Sequence, residues 1–222
     1  MHFPSLLAIP LLLVGLAAGS PIKLESRAAE VGQGHCYKGK EFPGVKQWLD
    51  FETLFRINTP VMLHFDSQRE IASMKKVIKE VARKSGLDAR ILLTVIMQES
   101  TGNMRTRAGD GVTPGIMQAL GSPSCEHRPF DGCNENSIRA MIQAGVFGTS
   151  KTQGLKSCYD THGKSYGPAL RCYNSGSIKD PSNLAATSYG TPSYVSDVAN
   201  RLRGVAPPKS CAFGAPTGSP GW

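Results

Sequence analysis

With 222 residues, 40% of them hydrophobic and 19% charged, the chain holds enough apolar material for one ordinary domain with a core, plus extra segments at its ends. Beyond the first twenty residues no segment is long and apolar enough to cross a membrane as a helix. The formal net charge of +8 is spread along the chain; it favours an anionic partner such as a bacterial wall, a membrane surface or nucleic acid, and serves solubility equally well.

Residues 1–19, with "HFPSLLAIPLLLVGLAAGS" running on to residue 20, have an apolar run followed by small residues at Ala17 and Gly19. That is the pattern of a secretory signal peptide, cleaved near Gly19–Ser20. A membrane anchor is the competing reading, but it needs roughly 20 apolar residues and this run is shorter. Residues 20–60 mix Gly, Pro, Lys and aromatics without periodicity, and are expected to form an irregular extension that packs on the domain.

The domain itself is expected over 61–205. In "HFDSQREIASMKKVIKEVARKSGLD", Ser67 and Glu70 have the spacing of a capping box. Ile71, Met74, Val77, Ile78 and Val81 recur at helical spacing and Gly86 closes the run. Asp88 can cap a second helix through "ARILLTVIMQES", stopped by Gly102. This run is apolar on every side, so it belongs at the centre of the fold; a buried strand is the competing reading. After a loop as far as Pro114, "NENSIRAMIQAGVFG", "SYGPALRCYNSG" and "TPSYVSDVANRLRG" read as helices, the last with Thr191 as cap and Pro192 at its first position. Residues 206–222 form a Pro/Gly-rich tail. The predicted fold class is mainly α.

Six cysteines in an exported chain imply a disulfide framework. Six cysteines allow fifteen connectivities; of these the expected one is Cys125–Cys133, Cys158–Cys172 and Cys36–Cys211, which closes two local loops and ties the ends together. No C-x-x-C pair favours zinc, and no Asn-x-Ser/Thr sequon is present.

Three features carry chemistry. Glu99 ends the buried helix, where loss of hydration raises a carboxyl pKa toward neutrality, as a general acid requires. "PGIMQ" supplies Gly115, which permits close backbone approach, with Ile116, Met117 and the amide of Gln118. "CYNSG" supplies the phenol of Tyr173 and the amide of Asn174. A buried acid among amides, a phenol and flat apolar surface suits binding an N-acetylated sugar and protonating a glycosidic oxygen.

Taken in order, "ES…PGIMQ…CYNSG…PSYVSDV" resembles the soluble lytic transglycosylases and goose-type lysozymes over roughly residues 65–203. The exported, disulfide-rich form looks like eukaryotic secreted members, fungal ones included, more than bacterial periplasmic ones. The resemblance implies a lysozyme-like α fold with long disulfide-tied loops, and cleavage of the β-1,4 bond between N-acetylmuramic acid and N-acetylglucosamine in peptidoglycan. By the same resemblance Glu99 is the catalytic acid and base, and Ser100 helps orient it. Met117 and Gln118 line the sugar cleft, Tyr173 hydrogen-bonds toward the glutamate or substrate, Asn174 holds the cleft wall, and Tyr194 supports the same region.

Most glycosidases use two carboxylates, whereas the transglycosylases of this family use one and the sugar's own acetamido group. Asp110, five residues before Gly115, stands near the first aspartate of the goose-type pattern and is a candidate for positioning water. The second aspartate position falls in "ALG" and is not acidic. A Gly-Asp-Gly turn residue is the plain alternative for Asp110. The implied protein is a secreted monomer with no metal, no cofactor, no nucleic-acid partner and no membrane insertion. Rivals are a chitin-directed enzyme of the same fold, a non-catalytic wall- or chitin-binding protein, and a ribonuclease using pairs among His35, His64, His127 and His162.

Overall fold

The computed structural model describes residues 33–108, 112–208 and 211–213. The expected signal peptide, the start of the extension, Asp110 and most of the tail lie outside the described residues. Among the described residues the architecture is mainly helical. There are seven α-helices, and an isolated bridge between Gly148 and Gln153 stands in place of any sheet.

Helix α2 (Gln68–Ser85) begins on the capping box: Glu70 N–H donates to Ser67 Oγ at 3.1 Å, and Ser67 N–H to Glu70 Oε2 at 2.9 Å. Its stripe of Ile71, Met74, Val77, Ile78 and Val81 is buried, and Gly86 closes it in the left-handed region at φ 71°. Helix α3 (Ala89–Ser100) starts where Arg90 N–H donates to Asp88 Oδ1 at 2.9 Å. Ile91, Leu92, Leu93, Val95, Ile96 and Met97 are buried on all its sides, so the apolar run is the central helix and not a strand. Each such side chain contributes about 1.5–3 kcal/mol. The left-handed residue that ends α3 is Thr101, at φ 56°; Gly102 follows at φ 84°. A Cβ on Gly102 would lie 2.6 Å from Met62 Cγ, so this glycine answers to packing as much as to the turn.

Two helices are not predicted from the sequence. Residues 51–60, expected to be irregular, belong to α1 (Phe51–Met62), which Asp50 caps by accepting from Thr53 N–H at 2.9 Å. Only Leu54, Phe55 and Met62 of α1 are buried, too narrow a stripe to announce itself, and Pro60 further masks the pattern. Helix α5 (Leu155–Thr161) is short and lacks a capping side chain. Helices α4 (Glu135–Phe147) and α6 (Tyr166–Ser175) lie where expected, and α7 (Tyr194–Leu202) begins later than expected. Thr191 and Pro192 do not open α7. They form the turn before it, because both backbone groups of Thr191 already bond elsewhere and its carbonyl accepts from Tyr194 N–H at 3.0 Å.

Helix α3 packs against α1, α2 and α7, α2 against α4, and α6 against both α5 and α7. The disulfides pair Cys36 with Cys211, Cys125 with Cys133, and Cys158 with Cys172. The N-terminal segment is held on α7, where Asn200 Nδ2 donates to His35 O at 2.7 Å and Tyr37 N–H to Ser196 Oγ at 3.1 Å. No helix among the described residues is long and apolar enough to cross a membrane.

Candidate active site

The site grows from the last turn of α3. Gln98 and Glu99 are the half-buried residues of an otherwise buried stretch, and α7 crosses them. Arg201 Nε donates to Gln98 Oε1 at 2.8 Å, and Gln98 Nε2 lies 3.4 Å from Asp197 Oδ2. These contacts set α7 against α3 one residue before the glutamate. Tyr194, in the first turn of α7, is buried, and its hydroxyl donates to Glu99 Oε1 at 2.5 Å.

Burial pushes the Glu99 carboxyl up to about 7, with the Tyr194 hydrogen bond pulling the other way. Desolvation therefore wins, and the partial negative charge of the backbone carbonyls at a helix C-terminus works in the same direction. Because Tyr194 donates to Oε1, the proton of neutral Glu99 belongs on Oε2. Burial and the neighbouring Glu99 push both the Tyr194 and the Tyr173 phenol well above their ordinary value. Both remain donors wherever Glu99 titrates.

Tyr173 does not reach the glutamate's oxygens through a hydrogen bond of its own. Its hydroxyl donates to Met117 O at 2.6 Å, so Tyr194 and not Tyr173 is the phenol bonded to Glu99. Ser100 sits behind the acid: its Oγ lies 3.0 Å from Ile96 O and 2.9 Å from Ile116 O, and accepts from Gly102 N–H at 3.2 Å. It joins the end of α3 to the 115–118 turn.

That turn corrects the expected cleft lining. Gly115, Ile116 and Met117 are buried, so they shape the core beneath the cleft and not its surface. Gly115 is required at φ 87°, where a Cβ would come 2.7 Å from Pro123 O and 3.1 Å from Met141 Sδ; its close approach is to the protein itself. Met117 packs against Gly145, where a Cβ would meet it at 2.6 Å. Gln118 is half-buried at φ 46°, with its amide donating to Gly115 O at 2.8 Å. It lines a cleft of about 190 Å³ with Thr113, Tyr173 and Asn174 among others. From this cleft wall Asn174 also holds the chain beside it, its Oδ1 accepting from Thr191 N–H at 2.9 Å and from Arg171 Nη2.

The structure thus brings Glu99, Ser100, Gln118, Tyr173, Asn174 and Tyr194 into one neighbourhood; Asp110 lies outside the described residues. Arg171, Gln98, Asp197 and Arg201 also belong to this neighbourhood and are not singled out by the motifs. Their signals exist: an arginine interrupts the apolar "PALRCY", and Asp197 and Arg201 stand four residues apart on one helix face. Among the described residues no group of three or more His, Cys, Asp or Glu side chains could hold a metal. His35 meets Tyr37 and Glu41, and His64 meets Phe65.

Compared with known proteins, the chain matches no family model, no curated protein and no solved structure.

Proposed function

We propose that this protein is a secreted, wall-degrading glycosidase of the soluble lytic transglycosylase and goose-type lysozyme superfamily, with a lysozyme-like fold. Its substrate is the β-1,4 bond between N-acetylmuramic acid and N-acetylglucosamine in peptidoglycan. The observation that carries this reading is the Glu99 carboxyl, raised to about 7 by burial and fixed through Oε1 by Tyr194. A carboxyl poised near the working pH can act first as acid and then as base. The central apolar helix ending at this acid and the three disulfides fit the proposed fold and an oxidising, extracellular setting.

In the proposed reaction Glu99 Oε2 gives its proton to the glycosidic oxygen as the bond from C1 breaks. The resulting carboxylate, steadied by the Tyr194 hydroxyl, then takes a proton from water, giving a reducing end, or from the sugar's C6 hydroxyl, giving a 1,6-anhydro ring. Gln118, on the cleft surface, supplies an amide for the sugar's polar groups.

Glu99→Gln keeps the shape and removes the proton. Clearing of bacterial walls is expected to fall about 10²–10⁴-fold with the helical content unchanged, and full clearing by this variant would falsify the proposal. Mass spectrometry of the products separates the two outcomes, since the anhydro product is one water lighter. Chitin oligomers digested in parallel rank the substrates, and no product from either polymer leaves a binding protein.

A further inference from the structure

Arg171 is wholly buried in α6. A buried guanidinium is costly unless its charge or its donors are used. None of its hydrogen-bond partners is a carboxylate: Nε donates to Ser175 Oγ at 3.2 Å, Nη1 to Leu184 O at 3.2 Å and to Thr191 O at 3.1 Å, and Nη2 to Asn174 Oδ1. An aliphatic side chain would fill this place at lower cost, so the donors are the reason for the arginine.

Those donors converge on the turn that launches α7. The Thr191 carbonyl accepts from Arg171 and also from Tyr194 N–H at 3.0 Å. The Thr191 N–H donates to Asn174 Oδ1 at 2.9 Å. Both backbone groups of Thr191 are therefore held by α6, three residues before the tyrosine that touches Glu99. Gly190, at φ 77°, leaves no room for a side chain, since a Cβ there would collide with Asn174 Oδ1.

We infer that Arg171 is a positioning residue for Glu99: by clamping the Thr191 carbonyl it holds the Tyr194 hydroxyl on the Glu99 carboxylate, and so sets how readily that carboxyl releases its proton. The electrostatics point the same way. The Arg171 charge makes the Tyr194 phenol more acidic against the larger effect of burial, hence a stronger donor. The titratable groups facing Glu99 are Tyr194 from α7 and Tyr173 from α6. Asp197 and Arg201, farther along α7, engage Gln98, and on the α1–α2 side Glu52 pairs with Lys75 and Lys79.

The inference rests on Glu99 being the acid, so it is tested without substrate. The full chain, labelled with carboxyl-¹³C glutamate, is titrated by NMR, and the Glu99 signal is assigned by its loss in Glu99→Gln. Tyr194→Phe removes a bond that favours the carboxylate, and is expected to raise the Glu99 midpoint by about one pH unit. Arg171→Lys is expected to raise it in the same direction. The double variant is expected to go no further than Tyr194→Phe alone. An unchanged midpoint in either single variant, or shifts that add, overturns the inference.

Should Arg171→Lys not fold, Gly190→Ala pushes on Asn174 while leaving the guanidinium in place. The same upward midpoint is expected, and an unmoved one overturns the inference. If walls are cleaved, the alkaline limb of activity moves to higher pH with the midpoint, because the acid must be protonated to act. A protein inert on walls but with coupled midpoints would refute the proposed activity and leave the clamp standing. A clearing enzyme with uncoupled midpoints would do the reverse.

Discussion

At the scale of one residue, the burial of Glu99 couples folding to protonation. In the unfolded chain its carboxyl titrates near 4.5, and in the fold near 7 because burial disfavours the charge. Between those values the folded state binds more protons, so this residue's contribution to stability is fully present below 4.5 and is lost as pH rises through about 7. Glu99 keeps some contact with solvent, which discounts the penalty to about 2 kcal/mol at most. Glu99→Gln escapes that loss. Calorimetry is expected to show matching melting temperatures near pH 4 and a variant about 4–8 °C more stable at pH 8; parallel behaviour at both values would mean the carboxyl is not desolvated. The functional site would thus be a place where stability is given up for acidity.

At the scale of elements, the loop after α3 is stitched to the start of α2 by one buried cluster. Arg105 Nη1 donates to Asp66 Oδ1 at 2.8 Å and Nη2 to Glu70 Oε1 at 2.6 Å, while Nε reaches Arg128 O at 3.1 Å. Cys133 N–H donates to Glu70 Oε1 at 2.8 Å. Burial pushes Asp66 up to about 6, with the Glu70 charge adding to it. Burial also pushes on Glu70, but its hydrogen bonds from Arg105 and from the Ser67 and Cys133 amides hold it below the usual range. Arg105→Met leaves two buried carboxylates unpaired and is expected to cost about 3–5 kcal/mol at pH 7. Protonation then relieves both, so the deficit measured by urea unfolding shrinks by pH 5; an equal deficit at both values would place the damage elsewhere. Glu70 is legible in the sequence as a helix cap and nothing more. Its second role depends on Arg105, 35 residues on, which no local pattern announces.

The whole molecule is closed by the Cys36–Cys211 bridge, which spans 175 residues, against 8 and 14 for the other two. Chain entropy assigns the long bridge about 5 kcal/mol and the shortest about half that, an upper range that native segments reduce in practice. Cys36→Ser with Cys211→Ser is therefore expected to lower stability by about 2–5 kcal/mol. If the proposed activity holds, wall clearing at 25 °C is expected to survive and inactivation on heating to accelerate, because Asn200 and Ser196 still hold residues 35–37 on α7. Loss of activity without loss of stability would show that the terminal segments take part in the site.

The helical class, the residues that cap the starts of α2 and α3, and the centrality of α3 are legible in the sequence, whereas the choice among fifteen cysteine connectivities is made by the fold. The legible features follow from interactions within a few residues or from period. Folding brings Tyr194, 95 residues from Glu99, onto the glutamate as its phenol partner. Folding also puts Gly115, Ile116 and Met117 in the core and sets a buried arginine against the Thr191 turn between α6 and α7. The reason is physical. The water taken from a carboxyl, and the donors that replace it, come from segments that meet only once the core has packed, and no spacing along the chain encodes their distances.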